Sequence, residues 1–359
     1  MLIIAGNKFS LMKPAVRKRH PFKLIALFFL AGLLVLILQT LFVSGTFKTV
    51  KDFSEGVTAE ILPTPPGIED LDYDPDSGTV FLSSHDRRNP SSTGAIYTLN
   101  PATNEIQNLT DRLHLPEFRP HGISFLNFNG AKYLFVISHR DTKNVVLKFL
   151  FLNDSLHLEK TYSGTDFSSP NDLLAVGEDA FFLTNDHGTV QGWQKTVADY
   201  LRLPVGNVVY FDGQRSGIVL KRIAYPNGIA YFNSRIYIAS TLGNYVGVYA
   251  PVSMNYQLEE QRKIKVPDAP DNLMVAGSRI YYAAHPKLLA FAAHARDAGK
   301  ISPSSVFYLE NDAVSRVYTG TAVSGSSTAL PVPDSAGNID LYIGSVFESH
   351  ILRLSPAKP

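Results

Sequence analysis

The chain has 359 residues, 45% of them hydrophobic and 18% charged, with 22 Pro and 25 Gly, which is long enough to bury a large core. Its 33 Lys and Arg against 32 Asp and Glu leave a formal charge of +1, so no general field draws nucleic acid or acidic substrates to it. The absence of cysteine excludes disulfides, thiolate nucleophiles and Cys-ligated zinc or iron–sulfur sites, and any metal is held by oxygen or imidazole.

From Leu24 to Phe47 the chain reads LIALFFLAGLLVLILQTLFVSGTF without a formal charge. A bilayer core needs ~20 apolar residues in a helix, and a secretory leader has an apolar region of only ~7 to 15, so the segment is expected to be an anchor. Lys8, Lys13, Arg17, Lys18, Arg19 and Lys23 precede it, whereas only Lys48 and Lys51 follow closely, mixed with Asp52 and Glu55. The positive-inside rule then assigns residues 1–23 to a basic cytosolic tail, 24–47 to a transmembrane signal anchor and 48–359 to the lumen or the cell exterior. The alternative, a leader cleaved near Ser44 and Gly45, puts the globular part in the same compartment. Two sequons, at Asn108 and Asn153, mark possible glycan sites there.

Beyond the anchor, short runs rich in β-branched and aromatic residues predict strands at 79–83, 133–138, 180–184, 235–240, 279–283 and 341–346. They belong to a repeat of a Pro-polar start, an apolar strand, a turn and a second strand. The copies begin at Pro66, Pro120, Pro170, Pro226 and Pro270, spaced 54, 50, 56 and 44 residues apart, with a looser sixth from Ser324. That period is close to the ~50 residues of a propeller blade, so the fold class is all-β, a six-bladed β-propeller behind one N-terminal transmembrane helix.

In a radial repeat, equivalent positions face one another across the axis. Just after each start stand Glu69 and Asp70, then His121, Asn171 and Asp172, Asn227, and Asp271 and Asn272. Any one of them is well explained as a turn-forming or strand-capping residue. Four carboxylates converging on one channel are not, because they repel and resist desolvation unless protonated or bound to a cation. A ring rich in carboxylate and amide oxygens suits Ca²⁺ better than zinc.

The motifs GIEDLDY, RPHGIS, PNDLLAVG with FFLTNDHG, YPNGIA, PDNLMV and AHP, spread over residues 60–355, resemble those of the paraoxonase/arylesterase family. The resemblance implies a six-bladed propeller with two calcium ions per chain in its tunnel, hydrolysing lactones and aryl esters. Motif by motif it assigns Glu69, Asn171, Asn227, Asp271 and Asn272 to the catalytic calcium. Asp70, Asp172 and the carbonyl of Ile123 go to a buried structural one, and His121 and His139 become a base and its helper, with Asp271 able to share that role. Tyr225 and Val346 fall where the family places substrate wall, and His187 and His285 where polar ends brace the tunnel. A short helix is expected within 190–203, around Trp193, as a lipid-facing lid.

The chain departs from the family's better-known animal members in lacking the cysteine pair that ties the propeller's ends. Closure must rest on pairing between 60–62 and 350–354. The stretch SHDRRNP, residues 84–90, is charged where substrate-wall residues are expected, so substrate range does not transfer. Two other readings stay open: a non-catalytic propeller with structural calcium, and an enzyme similar to gluconolactonase or strictosidine-synthase-like proteins with one metal or none.

Overall fold

The structure, a computed structural model, describes residues 21–252 and 256–357; the basic residues at 8–19 lie outside the described residues. Helix α1 (Pro21–Val43) precedes strand β1 (Val57–Pro63). The first blade follows as β2 (Ile68–Asp74), β3 (Thr79–Ser84), β4 (Ala95–Leu99) and β5 (Ile106–Asn108), and the second as β6 (Pro120–Phe128), β7 (Ala131–His139), β8 (Asn144–Leu152) and β9 (Ser155–Tyr162). In the third, β10 (Pro170–Ala175) and β11 (Phe181–Asn185) are separated by helix α2 (Trp193–Leu201) from β12 (Gly206–Phe211) and β13 (Ser216–Ile223). The fourth comprises β14 (Pro226–Phe232), β15 (Arg235–Ser240), β16 (Tyr245–Pro251) and β17 (Leu258–Lys265). Helix α3 (Leu288–Arg296) interrupts the fifth, β18 (Ala269–Ala276), β19 (Arg279–His285), β20 (Ser304–Glu310) and β21 (Ala313–Gly320). Strands β22 (Ser326–Pro333), β23 (Ile339–Ser345) and β24 (His350–Pro356) make three-quarters of the last.

Each blade is a four-stranded antiparallel sheet, and the sixth is completed by β1, which pairs with β24. Glu60 faces Arg353 and Leu62 faces Ile351, so the ends are joined by a strand ladder without a disulfide, as the sequence requires. Six apolar clusters lie between successive blades and close the ring. Phe81 and Ile96 of the first blade pack with Leu134 and Leu147 of the second, and Leu330 and Tyr342 of the sixth pack with Leu71 and Leu82 of the first. One blade could not bury both of its faces; six in a ring do.

The innermost strands are shaped by one repeated irregularity. In every blade the ladder between the first two strands slips near the start of the first: between Ile68 and Asp70, Pro120 and Ile123, Pro170 and Leu173, Pro226 and Ile229, Pro270 and Leu273, and Ser326 and Ala329. A bulge leaves its residues out of the ladder and re-aims their side chains. The backbones also approach closely there. A Cβ on Gly122 would meet the Asn171 carbonyl oxygen at 2.6 Å, and one on Gly228 would meet the Leu273 nitrogen at 2.5 Å, which is why the PHGI and PNGI motifs carry glycine.

The apolar segment is helical only to Val43, not to Phe47; Gly45, at φ 72° and packed against the Pro286 carbonyl, turns the chain onto the propeller. The Leu288 amide donates to the Ser44 carbonyl at 3.0 Å, Lys48 pairs with Asp268, and Phe53 bridges Thr319. Residues 22–43 are the one described helix long and apolar enough to cross a membrane, and no part of its most apolar stretch is buried by the propeller. The expected helix around Trp193 is α2. The Ala-rich α3, too short for a periodic pattern to register, is a further helix that sequence reading did not anticipate.

Helix α2 is tied down by His187, whose Nδ1 meets Asp186 Oδ1 at 2.9 Å and whose Nε2 meets Asp199 Oδ1 at 2.9 Å. Burial disfavours the imidazolium, but the two carboxylates outweigh it and raise its pKa to about 9.

Two predictions follow from these contacts. Gly228→Ala should lower unfolding stability by about 1–3 kcal/mol, while Gly217→Ala, facing open space, should stay within about 0.5 kcal/mol; denaturant unfolding of both decides it. Because the folded pKa of His187 lies above its ordinary 6.5, its hold on α2 is complete below that pH and lost as pH rises through about 9. The single tryptophan, Trp193, opens α2, so its fluorescence anisotropy should fall across that window, and at lower pH in Asp199→Asn.

Candidate metal centre and active site

The bulges bring the expected ring together. Glu69, Asn171, Asn227 and Asp271 line one cavity, all of them at most 5% exposed, with Asn272 buried beside Asp271. Their carbonyls are pinned from the neighbouring strand or blade, Ser327 Oγ donating to Glu69 O at 2.5 Å and Thr184 Oγ1 to Asn227 O at 2.8 Å. What the backbone holds so firmly ends in unsatisfied oxygen. Glu69 Oε2, Asn171 Oδ1, Asn227 Oδ1, Asp271 Oδ1 and Asn272 Oδ1 are all buried with no hydrogen-bond partner among the described residues. A buried polar atom left unpaired costs about 1–3 kcal/mol, and five from four blades at one place are too many to be incidental.

Deeper lie the two carboxylates expected to act together. Asp70 accepts from the amides of Leu71 and Ile123 and from Asn272 Nδ2, at 2.9, 2.8 and 3.0 Å. Asp172 accepts from the amides of Leu173 and Ile229 at 2.7 and 2.9 Å. Ile123 thus reaches Asp70 through its N–H. Burial pushes both carboxyls well above the usual range, and repulsion from Asp172 and Glu69 adds to it at Asp70. Glu69 moves the other way: burial raises it, but His121, Arg87 and His139 together hold it low. Among the described residues no group of three or more His, Cys, Asp and Glu converges as a metal set. The converging oxygens are mixed carboxylate and amide, the donor chemistry of a hard cation rather than of zinc.

His121 and His139 are adjacent, their rings 4.9 Å apart and nearly perpendicular. His121 Nε2 is 3.3 Å from Glu69 Oε1, and its Nδ1 is 3.2 Å from Arg87 Nη2. A guanidinium only donates, so Nδ1 is the accepting nitrogen and the proton sits on Nε2, towards Glu69. In His139, Nδ1–H donates to Asn144 Oδ1 at 2.9 Å, since the Asn144 amide donates to the Phe167 and Ser168 carbonyls; Nε2 is left as the ring's acceptor. Burial lowers the pKa of His139 to about 3, with Arg87 and His121 contributing, so the ring is neutral at physiological pH. His285 Nε2 meets Asp271 Oδ2 at 2.8 Å, which orients the Asp271 oxygen that lacks a partner.

The cavity above the ring measures about 430 Å³. Tyr225, at φ 55° immediately before Pro226, and Val346 both line it. Sequence reading missed much of the rest of the wall. Phe291 of α3 packs against His285 with ring centres 4.1 Å apart and planes tilted by 34°, Arg87 enters from the SHDRRNP stretch, and Thr40 and Ser44 come from the end of α1. The charge of SHDRRNP was the only signal of any of these. Of the sequons, Asn153 is exposed on the two-residue turn joining β8 and β9, and Asn108 is half-buried at the end of β5, accepting from the Thr110 amide at 2.8 Å.

The arylesterase family profile matches residues 61–351. Serum paraoxonase/arylesterase 1 of Mus musculus is 28% identical over 307 residues, covering 78% of this chain and 84% of the relative. Serum paraoxonase/arylesterase 2 of Canis lupus familiaris is 30% identical over 305 residues with the same coverage. Among solved structures, a gluconolactonase of Xanthomonas campestris superposes with a TM-score of 0.55 at 15% identity, covering 86% of this chain and 94% of its own. A regucalcin of Agrobacterium tumefaciens, described as calcium-binding, does so at 0.50 and 12%, covering 84% and 95%; both likenesses speak to the propeller alone. With the family profile matching 61–351, most of the ring of blades, this chain belongs to the arylesterase family of ester hydrolases.

Proposed function

We propose that the protein is a calcium-dependent hydrolase of lactones and aryl esters, held at a membrane by α1 with its propeller on the luminal or extracellular side. The observation that carries the reading is the set of five buried oxygens without partners at the tunnel mouth. Ca²⁺ takes six to eight oxygens at ~2.3–2.6 Å, and carboxylate plus amide oxygen is its usual diet. Glu69, Asn171, Asn227, Asp271 and Asn272 would hold an outer ion; Asp70, Asp172 and the Ile123 carbonyl would hold an inner one, two per chain. When bound, the outer ion supplies positive charge to the substrate's carbonyl oxygen.

The chain's own groups do the rest. His121 and His139 are the base and its helper: the neutral His139, its tautomer set by Asn144, offers Nε2 as the place a proton can go once His121 has taken it from water. Arg87 occupies His121 Nδ1, so His121 must release that bond as it works. His285 steadies Asp271, and Phe291, Phe347, Leu288 and Leu289 make part of the cavity wall apolar. Basic residues before α1 favour a cytosolic N-terminus, and glycans at Asn108 and Asn153 fit a luminal or extracellular propeller. The exposed aromatic Trp193 on α2 suits a lid resting on lipid.

The full chain in detergent should hydrolyse aliphatic lactones and phenyl acetate with Ca²⁺, lose both activities in chelator and regain them on re-addition. Asn227→Ala and Asp271→Ala should each lower kcat/KM by about 10²-fold or more while the protein stays folded; turnover undiminished in excess chelator would remove the proposal. His139→Asn should lower kcat by about 10²-fold with two calcium ions still bound per chain. Full activity in that variant would transfer the base's role to the Asp271–His285 pair.

A further inference from the structure

Six residues of ordinary formal charge line the cavity: Glu69, Asp199 and Asp271 against Arg87, Arg202 and Arg296. The proposed metal takes up Glu69 and Asp271, and Asp199 is bound to His187. The three guanidiniums remain. Among the described residues, Arg202 and Arg296 have no carboxylate at ion-pair distance, and the one that Arg87 reaches is Glu69, 3.8 Å away.

At Arg87 and Arg202 the surroundings make this a demand for an anion. Arg87 and Arg202 are half-buried in the cavity lining, and Arg296 stands exposed at its rim. A cation on the floor would occupy Glu69 and Asp271 and leave Arg87 less compensated. The same cavity is lined by Leu242, Leu288, Leu289, Phe291 and Phe347, so charge on its inner wall is less screened than on the open surface. Arg87 is fixed from behind by the carbonyls of Gly67, His85 and Pro120 at 3.4 to 3.5 Å, which pre-organises it.

We propose that the rim of the cavity is an anion subsite, and that the protein's substrates are lactones or esters carrying an acidic substituent such as a carboxylate. The carbonyl lies at the ring of oxygens near Arg87, and Arg202 and Arg296 clasp the acidic group at the rim. This rests on the hydrolase reading above and names its substrate class. A cavity of about 430 Å³ accommodates a molecule of that size.

The test compares a γ-lactone bearing a side-chain carboxylate with its carboxamide, using the full chain with Ca²⁺ in neutral nanodiscs. The carboxylate should be favoured by about tenfold or more in kcat/KM, and added salt should narrow the ratio. Arg202→Gln and Arg296→Gln should each move the ratio towards one, with Lys at either position recovering part of it; melting temperatures confirm that the variants fold. Turnover of the carboxamide as fast as the carboxylate, or a ratio that ignores both substitutions, overturns the proposal and leaves the hydrolase reading intact. An unaltered ratio with weakened binding to phosphatidylserine vesicles would likewise overturn it and give the arginines to the membrane surface. If neither lactone is hydrolysed, the hydrolase reading itself falls.

Discussion

Negative charge at the propeller axis is the constraint around which the molecule is arranged. Asp70 is fully enclosed, Glu69, Asp172 and Asp271 nearly so, and five oxygens of the mouth have nothing to accept from among the described residues. The fold has spent its nearby donors already: the amides of Leu71, Ile123, Leu173 and Ile229 go to the two deep carboxylates. Hydrogen bonds therefore cannot neutralise the axis, and protons or a cation must. The proposed calcium follows from that deficit.

The same backbone feature that creates the deficit also gives it shape. Six bulges at equivalent positions take the ring residues out of their ladders, so that side chains which would alternate across a sheet turn together towards the axis. Glycines at 122 and 228 let adjacent innermost strands approach closely enough for oxygens from four blades to share one site. Ser327 and Thr184 then fasten carbonyls on the ring from the side. Rigidity here comes from the sheets; a site built on loops would not hold its oxygens in register.

Above the ring the architecture changes from sheet to helix. The end of α1, α2 and α3 bring Thr40, Ser44, Tyr200, Arg202, Phe291 and Arg296 to one cavity wall. The helix that is apolar enough to cross a bilayer thus also borders the candidate active site. His187, Asp186 and Asp199 hold α2 in place from the rim of the third blade.

Much of this was legible in the residues alone. The 44- to 56-residue period and the strand patterns determine six blades, because only radial stacking buries both faces of so many short sheets. Equivalence of position within that repeat was enough to nominate Glu69, Asp70, Asn171, Asp172, Asn227, Asp271 and Asn272 as neighbours. Closure of the ring through residues 60–62 was legible too, since a chain without cysteine has only strand pairing to use. The tertiary structure alone decided what stands over the ring. Arg87, Phe291, Thr40 and Ser44 come from three segments that share no repeat, so no periodicity relates them to the axis. It also decided the state of the histidines, because which nitrogen of His121 or His139 carries the proton depends on Arg87 and Asn144. Arg87 reaches His121 from the neighbouring blade, and Asn144 meets His139 only once β7 and β8 pair in register, so neither tautomer is set before folding.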